Sequence, residues 1–435
     1  MRKRLVEALA ARLPFYYGWV ILACVCAAGF SRQGPAVATL SIFITPMTGE
    51  FGWSMTEISL AASVGGLLGA AVSPLIGPVL DRHGSRVILC FAVLFTGVPV
   101  FLLSFTGSLA YFYIFYCTAR MNFTGPYDIG IYGSIVNWFV RRRTFATSVS
   151  TLAMMSGLVA MPLIAHFVIE ASGWRTAWVV IGMSVLVVGL LPCWLLLVRR
   201  PEDMELRPDG DLPDVSLRGA PPAPGVAASV VEDTPEGEPA YTRREAVATP
   251  AFWLLSLFTL LVYPVQAGVS LHQAPLLIEH GLAPGVAAAA VSTFSLVSAL
   301  AGFAYGQWPR RVPMNLALVI TGAALGVSCL VMRVADSAAL AYCAAALFGV
   351  GIGGLVTMLP VAWADYFGRR SYGAIRGLAL TVQVVAQAAG PLISGSLRDM
   401  SGSYALPLAV LAGLAFAGAG AALLAGAPKG KPAHR

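Results

Sequence analysis

The sequence predicts an all-α membrane protein of twelve transmembrane helices, six on each side of a polar linker. Three observations carry this. First, 57% of the 435 residues are hydrophobic and only 11% are charged, whereas a soluble domain carries about 25% charged residues. Second, the chain contains twelve apolar runs of the roughly 20 residues needed to cross a hydrocarbon core of about 30 Å. Third, Lys and Arg concentrate in alternate segments between those runs, as they do where cytoplasmic loops retain positive charge.

The first six runs cover roughly 16–45, 54–80, 86–105, 108–136, 144–169 and 175–198; the second six cover roughly 251–278, 284–308, 314–332, 338–365, 371–397 and 404–427. The domains follow: a surface segment 1–13, a first bundle 14–200, a linker 201–245, a second bundle 246–428 and a tail 429–435. The segment MRKRLVEALAARL resembles a short basic amphipathic helix at the membrane surface. It has the general outline of a signal peptide, but the apolar run continues well past Ala27-Ala28-Gly29, so an uncleaved first span is expected. The linker is rich in proline and acids and poor in large apolar side chains, which reads as a mobile connection.

Orientation follows from the basic residues. Arg2, Lys3, Arg4, Arg12, Arg82, Arg86, Arg141–Arg143, the linker arginines, Arg310, Arg311, Arg369, Arg370, Arg376 and the tail lysines lie on one side. Arg175, Arg333 and Arg398 lie on the other. The first side is expected to be cytoplasmic, with both termini and the linker inside, in a cell (inner) membrane. The same sidedness explains the net charge of +7 without nucleic acid.

Gly77-Pro-Val-Leu-Asp81-Arg82-His-Gly84-Ser-Arg86 follows the second run. Gly77 permits close helix approach, Gly84 a tight turn, and Asp81 can accept hydrogen bonds from a neighbouring helix N-terminus. The string resembles the signature loop of the major facilitator superfamily. That resemblance implies two pseudo-symmetric six-helix bundles and assigns Gly77, Asp81, Arg82, Gly84 and Arg86 to a gate that latches the bundles on the cytoplasmic side. The second half carries an echo, Gly306-Gln-Trp-Pro-Arg310-Arg311, with Arg310 where the acid belongs. Further strings are similar to those of monocarboxylate porters and of bacterial relatives in the oxalate–formate antiporter branch. They are Trp138–Ala146, Gly173-Trp174-Arg175, Arg200-Pro201-Glu202-Asp203 and Thr249–Trp253. The chain departs from the animal porters at Ala36, where they carry a lysine. It departs again between Val286 and Trp308, which holds no charge where they carry an Asp/Arg pair.

Charge inside the runs marks the candidate site. Arg32 in run one and Arg120 in run four lie roughly 22 Å and 27 Å from the cytoplasmic ends of their runs. A charge at that depth costs about 2.5–3.5 kcal/mol on the most lenient scale. Each guanidinium is a planar fork suited to a carboxylate, and the resemblance implies that runs one and four line a central cavity. Arg32 snorkelling outward, a permanent Arg120–Asp128 pair and a proton-coupling role for Arg120 remain alternatives. Asp128, the acid well inside a run, is the proton-coupling candidate. Asp365 reads as a loop ion pair beside Arg369 and Arg370. Tyr116, Tyr127, Tyr263, Gln266 and His272 are candidate substrate-binding side chains; hydrogen bonds within helix interfaces are the plainer reading for them. Gly65-xxx-Gly69 and the Gly349–Gly354 string signal close helix packing.

Composition and spacing exclude other classes. Five histidines lie in no metal-ligand spacing, and the cysteines at 24, 26, 90, 117, 193, 329 and 343 form no CxxC pair. No metal or cofactor is expected, and no nucleophile, base or metal constellation points to an enzyme. The expected function is secondary active transport of a small organic anion, a mono- or dicarboxylate, by a monomer in the lipid bilayer. Coupling would be to protons or to a counter-anion. An exporter of hydrophobic, drug-like compounds and a transport-inactive sensor are the rival readings.

Overall fold

The computed structural model describes residues 6, 8–10, 12–53, 55–210, 239–309 and 311–428. Residues 1–5, 7 and 11 of the expected surface segment 1–13, the linker core 211–238, Arg310 and the tail from 429 lie outside the described residues; positions 6, 8–10 and 12 are helical. The fold is all-α. Its first half comprises α1 (Gly18–Ser31), α2 (Val37–Phe51), α3 (Met55–His83), α4 (Ser85–Leu102), α5 (Leu109–Thr124), α6 (Pro126–Trp138) and α7 (Arg143–Ser184). A π-helical stretch (Val185–Leu190) and α8 (Leu191–Leu195) complete it. The second half comprises α9 (Arg243–Val247), α10 (Pro250–Glu279), α11 (Pro284–Gly306), α12 (Met314–Arg333), α13 (Ala338–Phe367), α14 (Tyr372–Ser401) and α15 (Ala405–Leu424).

Spans and helices differ at three places, each for a local reason. Span one divides into α1 and α2 around Gly34-Pro35, and span four into α5 and α6 at Gly125-Pro126. In both, proline withholds the backbone donor that would continue the ladder. Spans five and six run together in α7, but Gly173 has φ 84° and ψ 165°, a conformation open to glycine, and turns the chain between two crossings. Twelve crossings result. Three helix starts carry side-chain caps: the hydroxyls of Ser108, Thr249 and Ser337 accept from the amides of Tyr111, Phe252 and Leu340.

Large apolar side chains such as Leu75 and Leu392 face outward, 69% and 72% exposed, which suits a hydrocarbon solvent. Cys343 is also exposed, so burial does not extend to every cysteine.

The two bundles meet near the face that carries the loop after α3, and this is the face the basic residues mark. The Asp81 carboxylate accepts from Gly373 N (3.0 Å) and Ala374 N (2.9 Å), two free amides at the start of α14. Beside it the backbones touch: a Cβ on Gly77 would run into the Gly373 carbonyl. Gly84, at φ 81°, turns the chain against the Arg199 stem, Arg199 donates to Asp81 O, and Arg86 lies over the Trp194 ring at 5.2 Å. Arg82 is exposed. Asp365 does not pair within its own loop; it bridges to the buried Arg143 of the other bundle at 2.6 Å. Arg369 binds Glu202 at 2.8 Å and the Asn137 carbonyl, so the start of the linker is built onto the basic face. Asp209 caps the amides of Val140, Arg141 and Arg142 there. Tyr132 OH donates to Val356 O across the same seam. On the opposite face Glu50 accepts from Trp174 and Arg175, and the Arg175 hydrogen bond holds its carboxyl below the usual carboxylate range.

The Gly77–Gly373 contact gives a prediction. Gly77→Val should leave the bundles folded but hold the basic face apart. Cysteine accessibility at that face should rise by about tenfold or more.

Candidate functional site

The break in each of spans one and four places a charge beside it. Arg32 occupies the C-terminal boundary of α1, and Asp128 lies in the first turn of α6, where unpaired amides favour an acid. Arg32 Nη1 donates to Asp128 Oδ1 at 3.0 Å and approaches Met154 Sδ at 3.5 Å. Arg120 reaches the same neighbourhood from α5. Both cations lie over the Phe123 ring: Arg32 Cζ is 4.3 Å and Arg120 Cζ 4.0 Å from its centroid. The two guanidiniums are therefore no further apart than the sum of those distances, within reach of one small molecule. Ring faces attract cations but do not neutralise them.

The partners of the two arginines differ. Arg32 already has an acid, since its Asp128 bond is buried, with side chains 11% and 7% exposed. Arg120 has no hydrogen-bond partner at Nε or Nη1, both buried, and forms no ion pair among the described residues. The alternative Arg120–Asp128 pair is thus not what forms; Asp128 turns to Arg32 instead. Gly65 and Gly69 let α3 close on α5 at Arg120 and Met121, which encloses the Arg120 stem.

A third arginine joins them. Arg376 Nη2 donates to Asp128 Oδ2 at 3.2 Å and to Gln383 Oε1 at 3.0 Å, and the side chain is 1% exposed. Counting basic residues by side assigned Arg376 to the cytoplasmic loop; it belongs to the site. It stands at the fifth residue of α14, just inside a span end, so hydropathy cannot separate it from a loop residue. Its helical spacing to Gln383, seven residues on and on the same face, was the available signal. Asp128 thus bonds two guanidiniums, while Arg120, sharing Phe123 with Arg32, pairs with no acid among the described residues.

The other expected site residues divide. Tyr263 is buried and close enough to interact electrostatically with Arg376, Asp128 and Arg32, as is Tyr132. Tyr116 is fully buried, stacks on Phe112 and donates to Pro35 O at 3.0 Å, fastening α5 to the break in span one. Tyr127 is fully buried in the first turn of α6. Gln266 accepts from Gln387 at 2.8 Å inside the second bundle. His272 lies nine residues beyond Tyr263, roughly 14 Å along α10. It contacts Tyr404 OH at 3.2 Å, apart from the arginines. Among the described residues no group of His, Cys, Asp and Glu has the arrangement of a metal site.

This fold and this buried charge are those of a membrane carrier. The model of the Major Facilitator Superfamily matches residues 21–391, and the chain belongs to that superfamily. It is similar to mouse monocarboxylate transporter 11, 22% identical over 96% of this chain and 88% of that protein. It is also similar to mouse monocarboxylate transporter 6, 26% identical, where the match takes in 33% of this chain and only 31% of that protein. The crystal structure of the human organic anion transporter MFSD10 superposes with a TM-score of 0.70 at 13% identity, covering 94% of this chain and all of the other, which bears on the fold.

Proposed function

We propose that the protein is a secondary transporter of a small organic anion, a mono- or dicarboxylate, working by alternating access in the cell membrane. The termini and basic face would be cytoplasmic. The observation that carries this is Arg120: a guanidinium deep in a span, with buried Nε and Nη1 donors that find no acceptor among the described residues, over the same ring as Arg32. A buried cation without an acid is costly, and a carboxylate from solution supplies both the charge and the acceptors. The relatives named as monocarboxylate transporters support the same chemistry. Asp128, Arg32 and Arg120 form the site, with Tyr263 beside it. Asp128 is the group through which protons would couple; exchange against a second anion is the other route.

The test is uptake by proteoliposomes containing the purified protein, using labelled L-lactate, succinate and a panel of other carboxylates, with and without a pH gradient or internal anion. Accumulation of at least one carboxylate is expected. Indifference to the whole panel, together with extrusion of hydrophobic cations, would replace this reading by drug export.

A further inference from the structure

Helix register sets what lies opposite Arg120 on the second bundle. α3 and α14 run antiparallel in close contact: a Cβ on Gly77 would meet the Gly373 carbonyl, one on Gly377 the Ser73 carbonyl, and Thr381 Oγ1 donates to Ala70 O at 3.4 Å. Each residue toward the start of α3 is matched by one toward the end of α14. Gly65, whose Cβ would meet the Arg120 stem, then stands level with about Ala386. Gln383 and Gln387 flank that level. Both share a helix face with Arg376, and Arg376 reaches Asp128, so this face is turned toward the arginines of the first bundle. The face offers amides rather than free charge. Arg376 already bonds Asp128 and Gln383. Beyond it α14 has no Lys, Arg, Asp or Glu before Arg398, and α10 has none before Glu279. Gln387 Nε2 donates to Gln266 Oε1 at 2.8 Å, and both side chains are half-buried. The Gln387 carbonyl and the Gln266 amide nitrogen make no other hydrogen bond among the described residues, so the pair presents an acceptor beside a donor. Exchanging O and N in both amides leaves the same offer.

We propose that the Gln266–Gln387 pair is the second half of the binding site and reads the uncharged end of the cargo. The carboxylate goes to Arg120; a group that both donates and accepts, a carboxamide or a hydroxyl, goes to the amides. This rests on the anion reading above and narrows it to monocarboxylates with such a group at their far end. A primary carboxamide matches the pair on one edge, its carbonyl accepting from Gln266 and its N–H donating to Gln387. A methyl ketone of the same shape leaves the Gln387 carbonyl without a donor. A second carboxylate finds no free cation on α10 or α14 and sets an oxygen against that carbonyl.

Three acids of one skeleton separate these cases. Succinamate, levulinate and succinate end in the same carbonyl carbon, bearing an amino group, a methyl group and an anionic oxygen in turn. Their dissociation constants are read from the rise in Tm of the purified full-length protein at neutral pH. Native protein should bind succinamate about tenfold more tightly than either of the others, because a polar group of the site left without its partner costs about that factor. Gln387→Met and Gln266→Met should each bring the succinamate-to-levulinate ratio to about one. Gln387→Lys should reverse the order and place succinate first, a gain that damaged folding does not produce. Arg120→Met should weaken all three acids together and leave their ratios in place. Equal binding of the three by native protein, a native preference for succinate, or ratios unmoved in Gln387→Met would overturn the amide assignment and leave the anion reading standing. Binding of none of the three would also overturn the assignment, and uptake of the wider carboxylate panel then decides the anion reading separately.

Discussion

Arg120→Met is expected to lower the apparent affinity for the proposed anion by about ten- to a hundredfold while leaving Tm unchanged or slightly higher. The two halves of that expectation come from the same observation. Removing a charge-assisted hydrogen bond costs about 1.5–3 kcal/mol where a ligand makes it, and each 1.4 kcal/mol is a factor of about ten in affinity. In the empty protein there is no such bond to lose, because the buried Nε and Nη1 have no acceptor. Methionine keeps the apolar stem that Gly65 packs against. Uptake assays and thermal unfolding on the same preparation separate the two roles. A variant that transports normally but melts early would make Arg120 a structural group.

Asp128→Ala should have the opposite profile, with stability falling first. Its carboxylate is the acid to which both Arg32 and Arg376 bond, and each of the three side chains is at most 11% exposed. Truncating one member of a buried ion cluster leaves the others charged and unpaired, which typically costs about 3–5 kcal/mol. Tm in detergent should drop by several degrees, or the protein should be lost in purification. Adding Arg376→Met to Asp128→Ala should recover part of the loss, since an apolar pair avoids the desolvation that the lone cation suffers. A double variant as unstable as the single one would show that Arg376 was not strained by the loss of its acid.

Much of this architecture is legible in the sequence, for reasons that are physical. Spans are visible because hydrocarbon admits few charges for about 20 residues at a time, and the Gly77–Arg86 loop is visible because its glycines and charges stand at the spacing of a known signature. Runs one and four read as single spans, whereas the fold divides them at Gly34-Pro35 and Gly125-Pro126. Arg32, Arg120 and Asp128 stand out as charges in apolar runs. What the chain conceals is pairing. Arg376 reads as a loop residue because five residues from a span end is within the uncertainty of any boundary. Asp365 reads as a partner of its neighbours in sequence, whereas the fold delivers Arg143 from 222 residues away. Likewise Arg120 and Asp128, eight residues apart, suggest each other, but the Gly125-Pro126 break redirects Asp128 toward Arg32 and Arg376.

Phe123, with an arginine stacked against it from each of two helices, offers an optical handle on the transport cycle. An indole installed there by Phe123→Trp would lie in contact with both cations, and its emission would report the moment their charge is quenched by cargo. Stopped-flow fluorescence of that single variant should then time loading and unloading without a label, and a signal indifferent to every carboxylate would mean that cargo travels elsewhere.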